Sequence, residues 1–326
     1  MSSIAVIVST YNGEKYLRTQ LDSILVQEGV DVHIFIRDDG STDGTRSILA
    51  DYVQKHSNVH VTFGENIGYA RSFYHMLFEC GQFVRSEANY GIRTETIANT
   101  DTVFDYYAFS DQDDYWKPQK LVEGIKKLKK FKSKPSLYYS NLQHCDKNLN
   151  PRSITDLHKR KNTLESVTTR RSIAGCTMVF NRKLYEDLVH NHTPDVVVVS
   201  HDNYLISLCF ALGGTVVCDP NAYILYRQHT GNSSGETSGL KNRVEKELKE
   251  IKKVREKKAG EALMAQSLLE NYGEQMSEEY RKKIKMISEL DKFGISRMKA
   301  FFSPKFTTGD IRLTAVGKIK ILFGWN

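Results

Sequence analysis

Three short runs of strand-forming residues near the start of the chain alternate with stretches of helical spacing. The first run, from Ile4 to Val8, is entirely apolar, which is typical of a strand buried on both faces of a parallel sheet. The runs at 32–36 and 59–63 are rich in β-branched residues and Phe, and helical patterns follow all three runs. This alternation predicts a doubly wound α/β fold, in which ligands bind beyond the carboxyl ends of the strands.

A fourth apolar run, Tyr106 to Phe109, ends at a cluster of acidic residues. Ser110 is followed at once by Asp111, and Asp113 and Asp114 come next after a single Gln. Carboxylates this close repel one another and are costly to bury without a partner, so a cation near the strand end would stabilise them. Mg²⁺ is usually bound by one or two carboxylates together with substrate phosphates. A polar turn in which an Asp caps the next helix is the alternative interpretation.

The length and the cysteines limit the class of protein. The chain has 326 residues, of which 40% are hydrophobic and 26% charged, and this is enough for one α/β domain with an appendage. The five cysteines are odd in number and never form a C-x-x-C pair, which argues against a disulfide framework or a zinc site. No secretory signal and no membrane-spanning apolar run is recognisable, so we expect a protein of a reducing, cytoplasmic compartment.

The net charge of +7 is unevenly distributed along the chain. From Lys241 onward there are 20 Lys and Arg residues against 12 Asp and Glu, whereas residues 1–240 contain 26 and 27. The near-neutral first part argues against a nucleic-acid partner, and the basic end favours an anionic surface. A stretch rich in Gly, Ser and Thr at 235–239 separates the two parts, so we predict an α/β domain at 1–234 and a charged, helical extension at 235–326.

Two regions outside the predicted sheet have distinctive composition. Residues 82–104 are polar and show no clear period, which predicts an inserted loop beside the other strand-end motifs. At 297–305 and 311–325, basic residues alternate with Phe, Leu, Ile and Trp, a pattern typical of helices that lie on an anionic membrane surface. The alternative is that these helices pack on the domain or on a second subunit of a homo-oligomer.

The later part of the domain predicts further strands and excludes two nucleotide-binding motifs. Strands are expected at 173–180, 215–218 and 222–226. Neither a G-x-G-x-x-G nor a Walker A sequence follows the first strand, so the phosphate cradle of dinucleotide-binding and P-loop proteins is missing. A nucleotidyltransferase of related fold would carry a Gly-rich, basic loop at that place, and this loop has only Lys15 nearby.

Five polar motifs follow one another along the chain: Ser9–Asn12, Arg37–Thr45, Asn66–Gly68, Ser110–Asp114 and Tyr226–His229. Their order resembles that of the inverting glycosyltransferases of family 2. The resemblance covers roughly residues 4–232 and is greatest to bacterial rhamnosyltransferases of cell-wall, capsule or O-antigen assembly. It implies a GT-A nucleotide-sugar-binding fold, Rossmann-like with a mostly parallel central sheet.

The same resemblance implies a donor site and a metal site. The donor would be a nucleotide diphosphate sugar such as dTDP-rhamnose, with UDP-galactose or UDP-glucose as alternatives. Asp113, the last residue of the D-x-D motif, and His229 would bind Mg²⁺ or Mn²⁺ beside the donor pyrophosphate. The residues implied in donor binding are Thr10, Tyr11, Asn12, Asp39, Asp111 and Arg227.

On the acceptor side, Asp202 matches the position of the family's catalytic base. An inverting transfer needs one base to take the proton of the acceptor hydroxyl. The family usually has an acidic residue before this base, where this chain has His201, and an Asp that caps a helix is the alternative interpretation of Asp202. Gly175, Cys176 and Thr177 match the start of the acceptor-side loop, or else belong to a core strand.

The resemblance also implies a place of action and leaves a second class of function open. The acceptor would be a glycan, in lipid-linked form, at the inner face of the cell membrane, with the C-terminal region on the anionic lipid. A basic-tailed protein that binds membranes or nucleic acid without catalysis is the alternative from another class.

Overall fold

A computed structural model describes residues 1–80, 103–157, 159–170, 173–190, 200–229 and 260–324. The predicted insertion at 82–104 lies outside these ranges except for its last two residues. The predicted linker at 235–239 and the charged stretch directly after it also lie outside them. The predicted domain boundary between residues 234 and 235 therefore stays a prediction.

The first four strands are parallel. β1 (Ser2–Thr10) lies between β2 (Val30–Asp38) and β4 (Tyr106–Ser110), and β3 (Val59–Phe63) pairs with the far side of β2. Because they are parallel, their carboxyl ends lie at one edge of the sheet. The helices between them are α1 (Leu17–Leu25), α2 (Thr45–Lys55) and α3 (Tyr69–Glu79).

The following elements extend the same sheet beyond β4. They are β5 (Tyr115–Trp116), α4 (Lys120–Leu128), β6 (Ser136–Cys145), β7 (Pro151–Ile154), α5 (Leu164–Arg170), β8 (Val179–Asn181), α6 (Arg182–His190), α7 (His201–Ala211) and β9 (Thr215–Arg227). In the described residues the strand order is β3-β2-β1-β4-β8-β6-β9-β5, and β7 pairs with β6. Only β5, β7 and β8 are antiparallel to their neighbours here, so the predicted α/β fold with a mostly parallel sheet is confirmed.

Helices cover both faces of the sheet, which explains the unbroken apolar run in β1. Ile4, Val6 and Val8 point into a hydrophobic cluster formed with α1, α2 and α4. Ala5 and Ile7 point into a second cluster, formed with α3, α5, α6 and α7. Since successive side chains of a strand alternate between the two faces, a strand with a core on each side has no position for a polar residue.

The predicted strand at 173–180 is wrong in its first part. Residues Gly175–Thr177 form a single turn of 3-10 helix, and the Thr177 amide donates to the Ala174 carbonyl oxygen over 3.1 Å. β8 begins only after this turn. The apolar composition that suggested a strand reflects burial, because short buried segments of either type share it.

The two strands predicted at 215–218 and 222–226 form one strand, β9. It pairs with β6 along its length, and the register shifts between Asp219 and Ala222. Pro220 lies in this irregular part and has no amide hydrogen to donate to the ladder. A proline and its turn-like neighbours therefore produce a bulge in the strand without ending it.

The described helices of the C-terminal region pack on the domain. Leu268, Tyr272 and Ile287 are buried in the cluster that also contains α7, and the Tyr272 hydroxyl donates to the Leu188 carbonyl oxygen over 2.9 Å. Packing on the domain was one of the alternatives that the sequence left open. Among the helices described here, none has both the length and the apolar composition needed to cross a bilayer. The four helices are α8 (Gly260–Tyr272), α9 (Glu278–Ser288), α10 (Ile295–Phe302) and α11 (Ile311–Phe323).

Two leucines of α8 allow a matched test of this packing. Leu268 is fully buried, whereas Leu263 on the same helix is 49% exposed. We expect Leu268→Ala to lower the free energy of unfolding by about 3 kcal/mol, because it removes buried methyl groups and leaves a cavity. Leu263→Ala should change it by less than about 0.5 kcal/mol. Chemical denaturation of the full chain measures both, and equal losses would contradict the packing of α8 on the domain.

Candidate active site

A cleft of about 750 Å³ opens at the carboxyl ends of β1, β2 and β4. Its lining contains residues from several elements that are far apart in sequence. The predicted site residues that line it are Tyr11, Asp39, Asp111, Asp113, Gly175 and Asp202. The other predicted residues lie behind or beside this lining, namely Thr10, Asn12, Cys176, Thr177, Arg227 and His229.

Gln112 connects the end of β1 to the end of β4, a role that the sequence analysis did not assign to it. Its Oε1 accepts hydrogen bonds from the Thr10 hydroxyl (2.6 Å) and the Tyr11 amide (2.9 Å). Its Nε2 donates to the Tyr11 carbonyl oxygen over 3.1 Å. A Cβ atom at Gly13 would lie only 2.5 Å from Gln112 Oε1, so a larger residue there would push the Gln112 side chain away from these hydrogen bonds.

Asn12 connects the same loop to the end of β2. Its amide donates to the Ser41 hydroxyl over 2.9 Å, and its Oδ1 accepts from the Thr42 amide over 2.9 Å. The backbone of Asn12 has a φ of 49°, a left-handed conformation that Asn adopts more readily than most residues. Asn12 therefore shapes the loop that carries Tyr11 into the cleft.

Asp39 follows β2, and its carboxylate is held by the protein on several sides. Its Oδ1 accepts from the Ile67 amide over 3.0 Å and its Oδ2 from the Gly68 amide over 2.9 Å. The Arg37 guanidinium forms a buried ion pair with the same carboxylate. Asp39 thus fixes the 66–68 segment at the rim of the cleft, and this contact explains why the two motifs occur together.

The carboxylates after β4 have an unfavourable electrostatic environment. Burial, and then the charge of Asp113, raises the pKa of Asp111 to about 7. The pKa of Asp114 is raised well above its usual value by burial first, and then by Asp113 and Asp111. The Arg227 amide donates to Asp114 Oδ1 over 3.0 Å, so Asp114 supports the loop from below while Asp111 and Asp113 line the cleft.

A buried lysine lies under this cluster, and the sequence analysis missed it. Lys120 is the first residue of α4, and its Nζ lies 3.3 Å from the centroid of the Trp116 ring. No described residue accepts a hydrogen bond from this Nζ. Burial lowers the pKa of Lys120 to about 7, and the charges of Asp114 and Asp111 oppose the shift. In its protonated form, the Lys120 side chain partly offsets the negative charge of Asp111 and Asp114.

Asp113 and His229 form the pair that the resemblance assigned to a metal ion. His229 Nε2 lies 2.9 Å from Asp113 Oδ2, and both side chains remain less than one-fifth exposed. The end of β9 brings this histidine to the strand tip, where its ring packs on Tyr16. A carboxylate oxygen and an imidazole nitrogen this close can bind one cation, and both suit Mn²⁺ while the carboxylate suits Mg²⁺.

A second group of possible ligands fits such a cation less well. The ligand atoms of Asp111, Asp114 and Cys176 all lie within 4.8 Å of one another. Burial, and then the charge of Asp111, raises the pKa of the Cys176 thiol well above its usual value, so the thiol stays protonated. A protonated thiol is a poor ligand, and Mg²⁺ and Mn²⁺ prefer oxygen over sulfur.

The Arg227 guanidinium binds backbone carbonyl oxygens of the loops next to the end of β4. Its Nε donates to the Asp113 carbonyl oxygen and its Nη1 to the Lys147 carbonyl oxygen, both over 2.7 Å. The guanidinium also stacks over the Tyr16 ring, 4.4 Å from its centroid. Arg227 therefore positions the D-x-D loop in this structure.

Asp202 reaches the cleft from the first turn of α7. Its Oδ1 accepts from the Ser200 hydroxyl and from the Asn203 amide, the latter over 2.8 Å. The residue at the N-cap position of α7 is Ser200, so the alternative interpretation of Asp202 as the helix cap is wrong. The carboxylate is oriented by its neighbours and faces the cleft, as a base requires.

His201, the residue before Asp202, packs closely on Gly175, one of the residues predicted on the acceptor side. The His201 ring stacks on Phe73 with centroids 4.1 Å apart, and burial lowers its pKa. A Cβ at Gly175 would lie 2.3 Å from His201 Nε2, so a glycine is required at this contact. Cys176 and Thr177 are fully buried and do not line the cleft, whereas Gly175 does. The acceptor-side role of these residues stays a prediction.

Comparison with known proteins identifies the N-terminal part and gives a relative of similar length. Residues 5–81 match the model of the family described as glycosyl transferase family 2. A dTDP-rhamnosyl transferase of Shigella flexneri, RfbG, is 25% identical over 249 residues, which are 72% of this chain and 75% of that protein. An uncharacterized glycosyltransferase of Rickettsia felis is 25% identical over 57% of this chain, and the match spans only 28% of that longer protein.

Solved structures support the same assignment of the fold. The structure of S. aureus TarS residues 1–349 in complex with UDP has a TM-score of 0.54 and 18% identity, and covers 92% of this chain and 74% of that one. The complex of the same protein with UDP-GlcNAc has a TM-score of 0.54 and 16% identity, and covers 92% and 78%. The resemblance predicted from the five motifs is confirmed: the chain is a glycosyltransferase that carries a glycosyl transferase family 2 domain on a GT-A fold.

Proposed function

We propose that the protein catalyses a metal-dependent, inverting transfer of a sugar from a nucleotide diphosphate donor to a glycan or lipid-linked acceptor. One observation carries the proposal: Asp113 at the end of β4 and Asp202 at the start of α7 line the same cleft. A cation-binding carboxylate and an oriented base in one cleft are what such a transfer requires.

The donor site is proposed at the ends of β1 and β2. Tyr11 and Asp39 line the cleft there and would contact the nucleoside, with Thr10 and Asn12 holding the loop. Asp111, next to them, would face the ribose or the sugar. The similarity to a dTDP-rhamnosyl transferase favours dTDP-rhamnose as the donor, and the UDP and UDP-GlcNAc complexes of TarS keep UDP-sugars as the alternative.

The leaving diphosphate is proposed to lie at Asp113 and His229. These two residues would hold Mg²⁺ or Mn²⁺, and the bound ion would neutralise negative charge on the diphosphate. Arg227 would act beside them by holding the Asp113 backbone in place, through the hydrogen bond from its Nε. A leaving group stabilised in this way needs no protonation, so one catalytic carboxylate is enough.

Asp202 is proposed as the general base. Its carboxylate accepts the proton of the acceptor hydroxyl while the hydroxyl oxygen bonds to the anomeric carbon. The bond from that carbon to the diphosphate oxygen breaks, and its electron pair leaves with the nucleoside diphosphate. Attack from the face opposite the leaving group inverts the anomeric configuration. Ser200 and Asn203 orient the carboxylate for this step through Oδ1.

The proposed place of action is the cytoplasmic face of the cell membrane, in the synthesis of a bacterial surface polysaccharide. This proposal rests on the motif resemblance to rhamnosyltransferases of cell-wall, capsule or O-antigen assembly, and the relative named as a dTDP-rhamnosyl transferase agrees with a rhamnosyl donor. The acceptor would then be a lipid-linked glycan presented at that surface.

Asp202→Asn tests the base assignment. We expect donor binding to change by less than about twofold and the rate of transfer to fall at least about a hundredfold, because the amide has no basic oxygen. Titration calorimetry with the nucleoside diphosphate and a radiolabelled transfer assay measure the two quantities. Asp31→Asn, an exposed carboxylate at the opposite edge of the sheet, is the control and should leave both unchanged. Full transfer by Asp202→Asn would overturn the assignment.

Asp113→Asn tests the metal site. The wild type should bind the nucleoside diphosphate more tightly when Mn²⁺ is present, and a chelator should remove the gain. In Asp113→Asn we expect most of the gain to disappear, because the anionic carboxylate ligand to the cation becomes a neutral and weaker amide oxygen. Asp31→Asn is again the control. An undiminished effect of Mn²⁺ on the variant would exclude Asp113 as the ligand.

A further inference from the structure

The outer face of α10 is apolar and exposed. Ile295, Met298 and Phe302 follow one another at helical spacing and are 73%, 36% and 73% exposed. On the opposite face, Arg297 and Ala300 are buried. The helix thus exposes an apolar stripe to solvent, whereas an ordinary surface helix buries its apolar face against the protein.

The same arrangement recurs in α11. Ile311, Ala315 and Ile319 are spaced four residues apart and are all exposed, and Leu322 continues the stripe. The face toward the domain carries Gly317, whose α-carbon packs closely on Thr169 of α5. A glycine where the helix meets the domain and isoleucines where it meets solvent indicate that the outer face has its own partner.

The two helices pack against each other. The Lys318 Nζ donates to the carbonyl oxygens of Ala300, Phe301 and Ser303 at the end of α10. At the other end of the pair, the backbone at Gly324 lies against the Arg297 guanidinium. We call the exposed side chains of this pair and its flanks the C-terminal apolar surface: Phe293, Ile295, Met298, Phe302, Ile311, Ile319, Leu322 and Phe323.

This surface contains most of the large apolar side chains that are exposed in the described ranges. Of the 14 large hydrophobic residues that are exposed in the described part of the chain, eight belong to it. Single exposed hydrophobic residues are normal on a soluble protein, whereas a contiguous group is a sign of an interaction surface. The group lies outside the lining of the catalytic cleft.

The charges around the surface indicate the kind of partner. Residues 291–324 contain seven Lys and Arg residues and two Asp. Lys292, Lys299, Lys305 and Arg312 are exposed among the apolar residues. Apolar side chains with interspersed Lys and Arg match the boundary of an anionic bilayer, where phosphates lie above the acyl chains. A symmetric contact with a second copy would instead place equal positive charges against each other.

We propose that the C-terminal apolar surface docks on an anionic lipid bilayer. Its apolar side chains enter the boundary between headgroups and acyl chains, and its Lys and Arg side chains bind lipid phosphates. α10 and α11 have 8 and 13 residues, which suits helices that lie along the surface. The sequence predicted such a contact for 297–305 and 311–325, and the structure adds which side chains of α10 and α11 are exposed to make it.

Sedimentation with vesicles tests the proposal on the full chain. Vesicles of equal parts phosphatidylglycerol and phosphatidylcholine should bind the wild type, and added salt or pure phosphatidylcholine should weaken the binding. The double variant Ile295→Ser with Phe302→Ser should bind at least about tenfold more weakly, because two apolar side chains no longer enter the lipid. Ile154→Ser, which changes a 58% exposed residue on β7, is the matched control and should bind as the wild type does.

A second variant tests the charge separately from the apolar residues. Lys299→Gln with Lys305→Gln should weaken binding to the anionic vesicles and leave the residual binding to phosphatidylcholine unchanged. Wild-type protein that fails to bind anionic vesicles, or an Ile295→Ser, Phe302→Ser variant that binds them fully, would overturn the proposal. A wild type that dimerises without lipid, binds no vesicles and becomes monomeric in this variant would assign the surface to a second copy instead.

The vesicle assay contains neither nucleotide sugar nor acceptor. Its outcome is therefore independent of the proposed sugar transfer, which the Asp202→Asn and Asp113→Asn variants test in the absence of lipid. Loss of vesicle binding with intact transfer to a water-soluble acceptor would separate the two proposals completely.

Discussion

Three carboxylates at the end of β4 repel one another, and several surrounding groups stabilise them. Asp114 is fully buried, and burial together with its acidic neighbours raises its pKa. The chain supplies an ammonium at Lys120, a backbone amide at Arg227 and an imidazole at His229. These groups come from α4 and from the end of β9, two elements far apart in sequence, so the fold is needed to keep the acidic cluster at the cleft. A cation or a positively charged group added on the open side would relieve the remaining repulsion.

The rigid part of the cleft depends on contacts between loops that are distant in sequence. Gln112 binds both backbone groups of Tyr11, and Asp39 binds the amides of the 66–68 segment. Polar side chains at a strand end are usually expected to bind substrate. Here Gln112 and Asp39 also hold neighbouring loops in place through hydrogen bonds. The same residues can do both, since a loop that is fixed before binding loses less entropy when the donor arrives.

The sequence predicts the fold well where one physical signal dominates. An apolar run such as Ile4 to Val8 has few alternatives to a strand with a core on both sides, and the order of the motifs indicated the family. It could not predict that Lys120 is buried, because a lysine in the first turn of a helix is ordinarily solvated. Nor could it separate a buried turn from a strand at Cys176, since both are apolar. The hydrogen bonds of Gln112 depend on how β1 and β4 pair, which the residue type does not encode.

We propose that a divalent cation and a nucleoside diphosphate meet at the tip of β4. Anomalous diffraction from a crystal soaked with Mn²⁺ and a nucleoside diphosphate tests it most directly. We predict one peak within coordination distance, about 2.2 Å, of Asp113 Oδ2 and His229 Nε2, with diphosphate oxygens completing the shell. A peak held instead by Asp111, Asp114 and Cys176, or a bound diphosphate with no peak in the cleft, would contradict it.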